Sequence, residues 1–363
     1  MRSVLHLIPT LEGGGAERQL SMLAAEQSQR GMRVHVGMRR GGVHKELLSR
    51  KGVSLHCLGD YGWFHPLIFI RTNALIKKVK PDIVQTWLPQ MDVVGGVACL
   101  WNAITWIISE RTSAASYAGL KPRMWFRYHL GKYARAIVAN SAGGVEYWRK
   151  PPSRITKVFQ IDNAIDVEVI RNTIDRNEES HGSLPEILVV GRLVPLKAVD
   201  VVIRALSLVS SDLLFRVSII GDGPMRGQLE SEIRRAGMGN RITLSSYDPD
   251  WWRRLNSTSL LISMSRFEGQ PNVVLESIAM GCPLILSDIP AHRELLDDST
   301  SVLIPLDNHR ALAQAISDHF EDPSLARARA DLAKGRTELM TIQSATDAYN
   351  AVYSYLHQSA SNR

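Results

Sequence analysis

The chain has 363 residues, and a content of 45% hydrophobic and 22% charged residues is typical of a soluble globular protein. Its net charge of +7 is unevenly distributed. Residues 1–165 carry 23 basic and 10 acidic side chains, a net charge of +13. The remaining residues carry 20 basic and 26 acidic side chains, a net charge of −6. The basic half predicts an anionic partner.

Three cysteines, Cys57, Cys99 and Cys282, lie far apart, and no C-x-x-C or Cys/His cluster occurs. A disulfide framework and a zinc site are therefore not expected, and no clustered carboxylates suggest a metal site. These features predict a cytoplasmic protein without a cofactor or a required metal. The first residues do not resemble a signal peptide, because Pro9 interrupts a short apolar run. The longest uncharged run, Val93–Ser109, predicts a buried helix followed by a strand rather than a membrane span.

Short β-branched runs alternate with helical patterns in the first half, which predicts a parallel, doubly wound α/β sheet. Strands are predicted at Val4–Ile8, Arg33–Met38, Ser54–Leu58, Asp82–Thr86, Thr105–Ser109 and Ala136–Ala139. Helices are predicted between them, for example at Glu17–Gln29 and Pro66–Lys78. The polar stretch NEESHGSLP, at about 177–185, then predicts a linker.

The alternation resumes at Glu186–Val190 and predicts a second α/β domain. Its further strands are expected at Leu214–Ile220, Arg241–Leu244, Ser259–Ile262, Pro283–Leu286 and Ser301–Ile304. We therefore predict an N-terminal domain over 1–176 and a C-terminal domain over 186–340. The remaining segment, 341–363, is expected to form a helix that packs back on the N-terminal domain.

The stretch Phe267–Asp288, FEGQPNVVLESIAMGCPLILSD, places two carboxylates around a helix start. Glu268 lies in the loop after a predicted strand, and the helix is expected over Asn272–Met280. The first amides of that helix, near Asn272 and Val273, favour an anion such as a phosphate.

The second carboxylate, Glu276, lies one turn inside the same helix in an otherwise apolar run. Carboxylates accept hydrogen bonds from vicinal hydroxyls, so Glu268 and Glu276 suit a sugar on each side of a bound phosphate. The alternative is a capping carboxylate and a solvated helix glutamate.

Two cations lie five residues apart in GRLVPLK, Gly191–Lys197, directly after the first strand of the second domain. Arg192 can bind a diphosphate through two parallel hydrogen bonds, and Lys197 can bind it as a point charge. The alternative is an exposed loop with two unrelated cations. The sequence GDGP at Gly221–Pro224 is interpreted mainly as a strand-to-helix turn.

The sequence GGGAER, Gly13–Arg18, follows the first predicted strand and begins a helix. Gly14 and Gly15 allow backbone amides to approach a phosphate or a sugar. The dinucleotide fingerprint G-x-G-x-x-G is absent, and a simple tight turn is the alternative reading.

The E-x7-E element from Glu268 to Glu276, the Arg/Lys loop and the GGAE form resemble the motifs of family 4 retaining glycosyltransferases over nearly the whole chain. The resemblance implies the GT-B fold, in which two Rossmann-like, doubly wound parallel-sheet domains face a central cleft. It implies that Glu268 contacts the donor sugar, that Glu276 binds the nucleotide ribose, and that the cation pair stabilises the leaving diphosphate. The residues implied are Glu268, Arg192 and Lys197 for catalysis, and Gly14, Gly15, Asn272, Val273 and Glu276 for donor binding.

The implied activity is transfer of a sugar from a nucleotide-diphosphate sugar to a glycan or a polyprenyl-diphosphate-linked acceptor, in bacterial cell-surface polysaccharide or lipopolysaccharide biosynthesis. Another GT-B enzyme, such as a nucleotide-sugar epimerase or hydrolase, is the alternative. A nucleic-acid-binding module is not expected, because no DNA- or RNA-binding motif accompanies the basic half.

One loop departs from the family pattern. Many members have a His after the strand that corresponds to Thr105–Ser109, whereas this chain has Glu110 and Arg111 there. Glu110 is a candidate for contact with an acceptor hydroxyl and Arg111 for contact with an acceptor phosphate. For each, a structural salt bridge is the alternative.

The segment Lys121–Arg135, KPRMWFRYHLGKYAR, has no acid and combines five cations with Met124 and the aromatic residues Trp125, Phe126, Tyr128 and Tyr133. Such a helix suits an anionic membrane surface, which would place the protein peripherally on the inner face of the plasma membrane. The alternative is an ordinary domain helix whose aromatic side chains lie in the core.

Overall fold

The computed structural model describes residues 3–62, 65–112, 121–150, 156–170 and 184–361. The chain forms two compact units: Met1–Ala164 together with Ile342–Arg363, and Ile165–Thr341. The final helix therefore belongs to the first unit, and the chain passes into the second unit at 164/165, earlier than the predicted domain boundary at 176. A linker is expected at about 177–185, and residues 177–183 of it lie outside the described residues.

The first unit contains a seven-stranded sheet in the order β3-β2-β1-β4-β5-β6-β7, and every strand pair is parallel. Its strands are β1 Ser3–Ile8, β2 Arg33–Met38, β3 Ser54–Cys57, β4 Ile83–Trp87, β5 Thr105–Glu110, β6 Ala136–Ala139 and β7 Lys157–Gln160. Its helices are α1 Gly15–Gln29, α2 His44–Arg50, α3 Pro66–Val79, α4 Leu88–Trp101, α5 Lys121–Gly131, α6 Ala142–Arg149 and the final helix, α13, Ile342–Ser361.

The second unit contains a six-stranded sheet in the order β10-β9-β8-β11-β12-β13, again with parallel pairs. Its strands are β8 Glu186–Val190, β9 Arg216–Ile220, β10 Ile242–Ser245, β11 Thr258–Ser263, β12 Leu284–Ser287 and β13 Val302–Ile304. Its helices are α7 Val199–Leu206, α8 Arg226–Arg235, α9 Asn272–Ala279, α10 Pro290–Arg293, α11 His309–Glu321 and α12 Pro323–Lys334.

Each sheet is covered on both faces, which explains the continuous apolar runs of its central strands. In β1, Val4 and Ile8 pack in one hydrophobic cluster with side chains of α1 and α13, whereas Leu5 and Leu7 pack in another with α3 and α4. The fold prediction of two doubly wound parallel-sheet α/β domains is therefore confirmed.

The strand order reverses next to β1 in the first unit and next to β8 in the second. In open α/β sheets, ligands bind beyond the carboxyl ends of the strands at such switch points. The switch point of the second unit lies between β8 and β11, so the loops that follow these two strands are the expected ligand-binding loops.

The run Val93–Ser109 forms the end of α4 and most of β5, as predicted. Among the helices of the described ranges, none is long and apolar enough to cross a membrane.

Candidate functional site

The loops after β8 and β11 bring Lys197 and Glu268 into direct contact, although the two residues are 71 positions apart. The Lys197 ammonium donates a hydrogen bond to Glu268 Oε1 over 2.5 Å, and the side chains are only 21% and 13% exposed. The two groups that the sequence assigned to diphosphate and donor sugar thus form one ion pair at the switch point.

The ion pair keeps Glu268 charged. Burial would raise the pKa of Glu268, but the positive charge and hydrogen bond of Lys197 outweigh it, so the pKa lies below its ordinary value. A charged carboxylate can accept hydrogen bonds from sugar hydroxyls, and the adjacent ammonium can bind a phosphate oxygen.

Arg192 is exposed, and the loop that carries it is held by the GDGP turn after β9. The Leu193 amide donates to the Asp222 carbonyl over 2.8 Å, and the Met225 amide donates to the Leu193 carbonyl over 3.0 Å. A Cβ atom added at Gly223 would lie 2.3 Å from the Leu193 carbonyl oxygen. The turn therefore needs glycine because the Arg192 loop packs directly against its backbone.

Helix α9 begins at Asn272, after Pro271 in an extended conformation at the N-cap. Proline has no side-chain acceptor, so the N-cap side chain makes no hydrogen bond to the first turn, which begins with Asn272 and Val273. Both residues are half-buried. Because the positive end of a helix dipole favours negative charge, the helix start suits an anion, in the same loop that carries Glu268.

Glu276 lies one turn into α9 and is only 3% exposed. Its helix neighbours Val274, Leu275 and Ile278 are fully buried in the hydrophobic cluster of this unit. Burial of a carboxylate among apolar side chains is costly, so a solvated surface glutamate is excluded.

His292 lies close enough to the ion pair for both charges to affect its titration, and no motif predicted it. It is fully buried on α10, and its Nδ1 donates to the Ser287 carbonyl over 2.7 Å. Burial, above all, lowers the pKa of His292, while the charge of Glu268 raises it and that of Lys197 lowers it further. The side chain is therefore a neutral imidazole at pH 7 in one fixed orientation.

In the first unit, the glycine loop GGGAER is organised by its own glutamate. The Gly14 amide donates to Glu17 Oε2, and the Thr10 hydroxyl donates to Glu17 Oε1. A Cβ atom at Gly14 would lie 2.3 Å from Glu17 Oε2. Sequence reasoning assigned roles to Gly14 and Gly15 but missed Glu17, although a glutamate three residues after the N-cap is a known capping signal.

The structure places Glu110 in a buried ion-pair cluster, 1% exposed. Arg127 donates to Glu110 through Nη1 over 2.8 Å and to Asp92 through Nε over 2.7 Å. The Trp148 indole also donates to Glu110, over 2.8 Å. The structure therefore shows the structural salt bridge considered for Glu110, and its burial favours that role over contact with an acceptor.

Arg111 is also engaged inside the first unit. Its guanidinium donates to Asn163 Oδ1 over 2.9 Å and to the hydroxyl of Tyr349 on α13, and it stacks over the Trp87 ring at 4.5 Å. These contacts tie β5 to the final helix. They favour a structural role for Arg111 over binding of an acceptor phosphate. These partners are neutral, so the contacts are hydrogen bonds and ring stacking rather than the expected salt bridge.

The segment Lys121–Arg135 has a mixed surface. Trp125, Phe126 and Tyr133 are 63%, 46% and 62% exposed, whereas Arg127 is buried in the ion-pair cluster. The aromatic side chains are therefore not all in the core, and one of the cations does not contribute to the surface.

Within the ranges that the structure describes, no group of three or more His, Cys, Asp or Glu side chains could hold a metal ion.

Comparison with known protein families identifies both units. Residues 13–169 match the model described as "Glycosyltransferase Family 4", and residues 184–322 match the model described as "Glycosyl transferases group 1". Together the two matches cover well over half of the chain.

Individual proteins resemble the chain over most of its length. It is 28% identical over 290 residues, 75% of this chain and 76% of the other, to the N-acetylgalactosamine-N,N'-diacetylbacillosaminyl-diphospho-undecaprenol 4-alpha-N-acetylgalactosaminyltransferase of Campylobacter jejuni. It is 26% identical over 353 residues, 93% of this chain and 94% of the other, to the lipopolysaccharide core biosynthesis glycosyltransferase LpsD of Rhizobium meliloti.

The crystal structure of HepE from Anabaena in complex with UDP-glucose superimposes with a TM-score of 0.86 at 19% identity, covering 98% of this chain and all of the other. This likeness shows the fold. Taken with the two family matches, it establishes that the chain belongs to the family 4 glycosyltransferases and has the GT-B fold.

Proposed function

We propose that the protein transfers a sugar, with retention of the anomeric configuration, from a nucleotide-diphosphate sugar to a lipid-linked or glycan acceptor. The observation that carries the proposal is the Lys197–Glu268 ion pair at the switch point of the second unit, with Glu268 in the loop that leads to the start of α9. A cation, the positive end of a helix dipole and a charged carboxylate in that arrangement suit a sugar diphosphate.

The roles follow from the chemistry of each group. Arg192, Lys197 and the Asn272 and Val273 amides stabilise the negative charge that develops on the departing diphosphate. Glu268 accepts hydrogen bonds from donor-sugar hydroxyls. The remaining donor contacts are assigned to Glu276, for the ribose, and to the glycine loop at Gly14 and Gly15, which Glu17 holds in place.

The same groups define the chemical step that we propose. The bond between the anomeric carbon and the diphosphate oxygen breaks, and the acceptor oxygen bonds to that carbon on the same face. The departing phosphate oxygen takes the acceptor proton, so the step needs no separate base. Because two cations and a helix start neutralise the leaving group, we propose that no metal ion is required.

The acceptor class is proposed from the relatives and from the surface of the first unit. The Campylobacter relative is named for an undecaprenol-diphosphate-linked substrate, and the Rhizobium relative for lipopolysaccharide core biosynthesis. We propose a comparable role in bacterial surface-glycan assembly at the cytoplasmic face of the membrane. The exposed aromatic side chains Trp125 and Phe126, on a basic helix, would contact anionic lipids there.

The test is a thermal-unfolding panel of UDP-, GDP-, ADP- and dTDP-sugars, because the true donor raises the Tm by mass action. The selected donor is then incubated with a polyprenyl-diphosphate-linked acceptor, and the anomeric configuration of the product is determined by NMR. A retained configuration supports the proposal. An inverted product, or a donor that is epimerised or hydrolysed equally fast without acceptor, would contradict it.

A further inference from the structure

The turn that carries Lys197 has little packing of its own. Pro195–Lys197 is a single turn of 3-10 helix without a buried residue, and it is followed by Ala198 in a left-handed conformation with φ 48°. A lysine side chain is long and flexible. Its ammonium can be held in one place only if the turn itself is fixed by groups outside it.

Arg266 supplies two such contacts. Its backbone amide donates to the Leu196 carbonyl over 2.8 Å, and its guanidinium Nη1 donates to the Pro195 carbonyl. Arg266 lies two residues before Glu268, in the same loop after β11. One short segment therefore carries Glu268 and also holds the turn that presents its partner Lys197.

Asp307, in the loop after β13, orients the Arg266 guanidinium. Arg266 Nη2 donates to Asp307 Oδ1 over 2.6 Å, and Nε donates to the same oxygen over 3.1 Å. The two side chains are 28% and 55% exposed, and ion pairs with this much exposure add little to folding stability. We therefore expect the Arg266–Asp307 pair to affect the position of the Pro195–Lys197 turn rather than the free energy of unfolding.

We propose that Arg266, oriented by Asp307, is a positioning residue that sets the distance between Lys197 and Glu268 in the donor site. The inference rests on the proposed function. Without Arg266, Lys197 would occupy a wider range of positions. Its charge would then stabilise the departing diphosphate less well, because such stabilisation depends on groups that are already in place.

The first test compares R266A, R266K and D307N with the wild type, with donor concentration varied and the Tm measured for each variant. R266A should lower kcat/KM by about 10- to 100-fold, mainly through kcat, with a small change in Tm. R266K, which can still reach one carbonyl, and D307N should have intermediate values. R336A, which breaks an exposed ion pair with Asp297 elsewhere in the unit, is the control and should leave kcat/KM unchanged.

The second test is a double-mutant cycle. If Arg266 acts through Lys197, the R266A substitution should have little further effect on kcat/KM in a K197M background. Independent, multiplying effects, or wild-type kcat/KM in R266A, would overturn the inference. If R266A does not fold, R266K and D307N are each combined with K197M, and the same comparison of kcat/KM decides whether Arg266 acts through Lys197. Normal activity of K197M alone would instead contradict the proposed role of Lys197, so the two failures can be told apart.

Discussion

The packing of the Arg192 loop against the GDGP turn makes Gly223→Ala an informative substitution. The added Cβ atom would lie 2.3 Å from the Leu193 carbonyl oxygen, whereas ordinary contacts begin at 3.4 Å. The loop must therefore move by about 1 Å to relieve the overlap, and overpacking of this kind costs about 1–3 kcal/mol. For a unit of this size, that cost lowers the Tm by roughly 2–12 °C. Displacement of Arg192 by a similar distance should reduce kcat/KM by up to about 100-fold.

The matched control is Gly227→Ala on α8, four residues further along. A Cβ atom at Gly227 meets nothing within 4 Å, so the substitution should stabilise the helix by about 0.5–1 kcal/mol. Thermal unfolding and donor-saturation kinetics of both variants test the reasoning. If G223A had the Tm and the kcat/KM of G227A, the GDGP turn would not position the Arg192 loop.

Three further predictions concern the first unit. E17A should lower the Tm, because it removes about 1 kcal/mol of helix capping. It should also raise the KM for the donor, because Glu17 no longer holds the glycine loop; an unchanged KM would argue against Gly14 and Gly15 as part of the donor site. Burial, opposed by Arg127, raises the pKa of Asp92 to about 6. The folded pKa lies above the unfolded value of 3.8. The stability contributed below that value is therefore lost as the pH rises to the folded pKa, so the Tm should fall between about pH 4 and pH 6, and D92N should flatten that slope. W125S/F126S should weaken low-salt binding to anionic vesicles without affecting the Tm, and unaltered binding would count against membrane contact through α5.

Much of the fold could be predicted because fully buried parallel strands have a strong sequence pattern. Arg33–Met38, Ala136–Ala139 and Glu186–Val190 form strands with the predicted bounds. The strand β7, Lys157–Gln160, was missed because it is a short edge strand with only two apolar residues. Its central pair is half-buried, so a continuous apolar run is absent.

The contact between Lys197 and Glu268 could be anticipated because both follow parallel strands, and the carboxyl ends of such strands meet at one edge of the sheet. The buried cluster of Glu110, Arg127 and Asp92 could not, because it joins three segments whose contact depends on how α4 and α5 pack. For the same reason, sequence reasoning could not distinguish an acceptor-binding Glu110 from a structural one.

The most direct test of the account is the affinity for the diphosphate product. We would measure the Kd of the matching nucleoside diphosphate by calorimetry for the wild type, R192A and K197M. R204A is the control, because among the ion pairs of the described residues Arg204 pairs only with Asp200, on the same helix α7. Hydrogen bonds to charged groups contribute about 1.5–3 kcal/mol. R192A and K197M should therefore each weaken binding by about ten-fold or more, while R204A binds like the wild type. Wild-type affinity in both R192A and K197M would contradict the assignment of the diphosphate to these two cations.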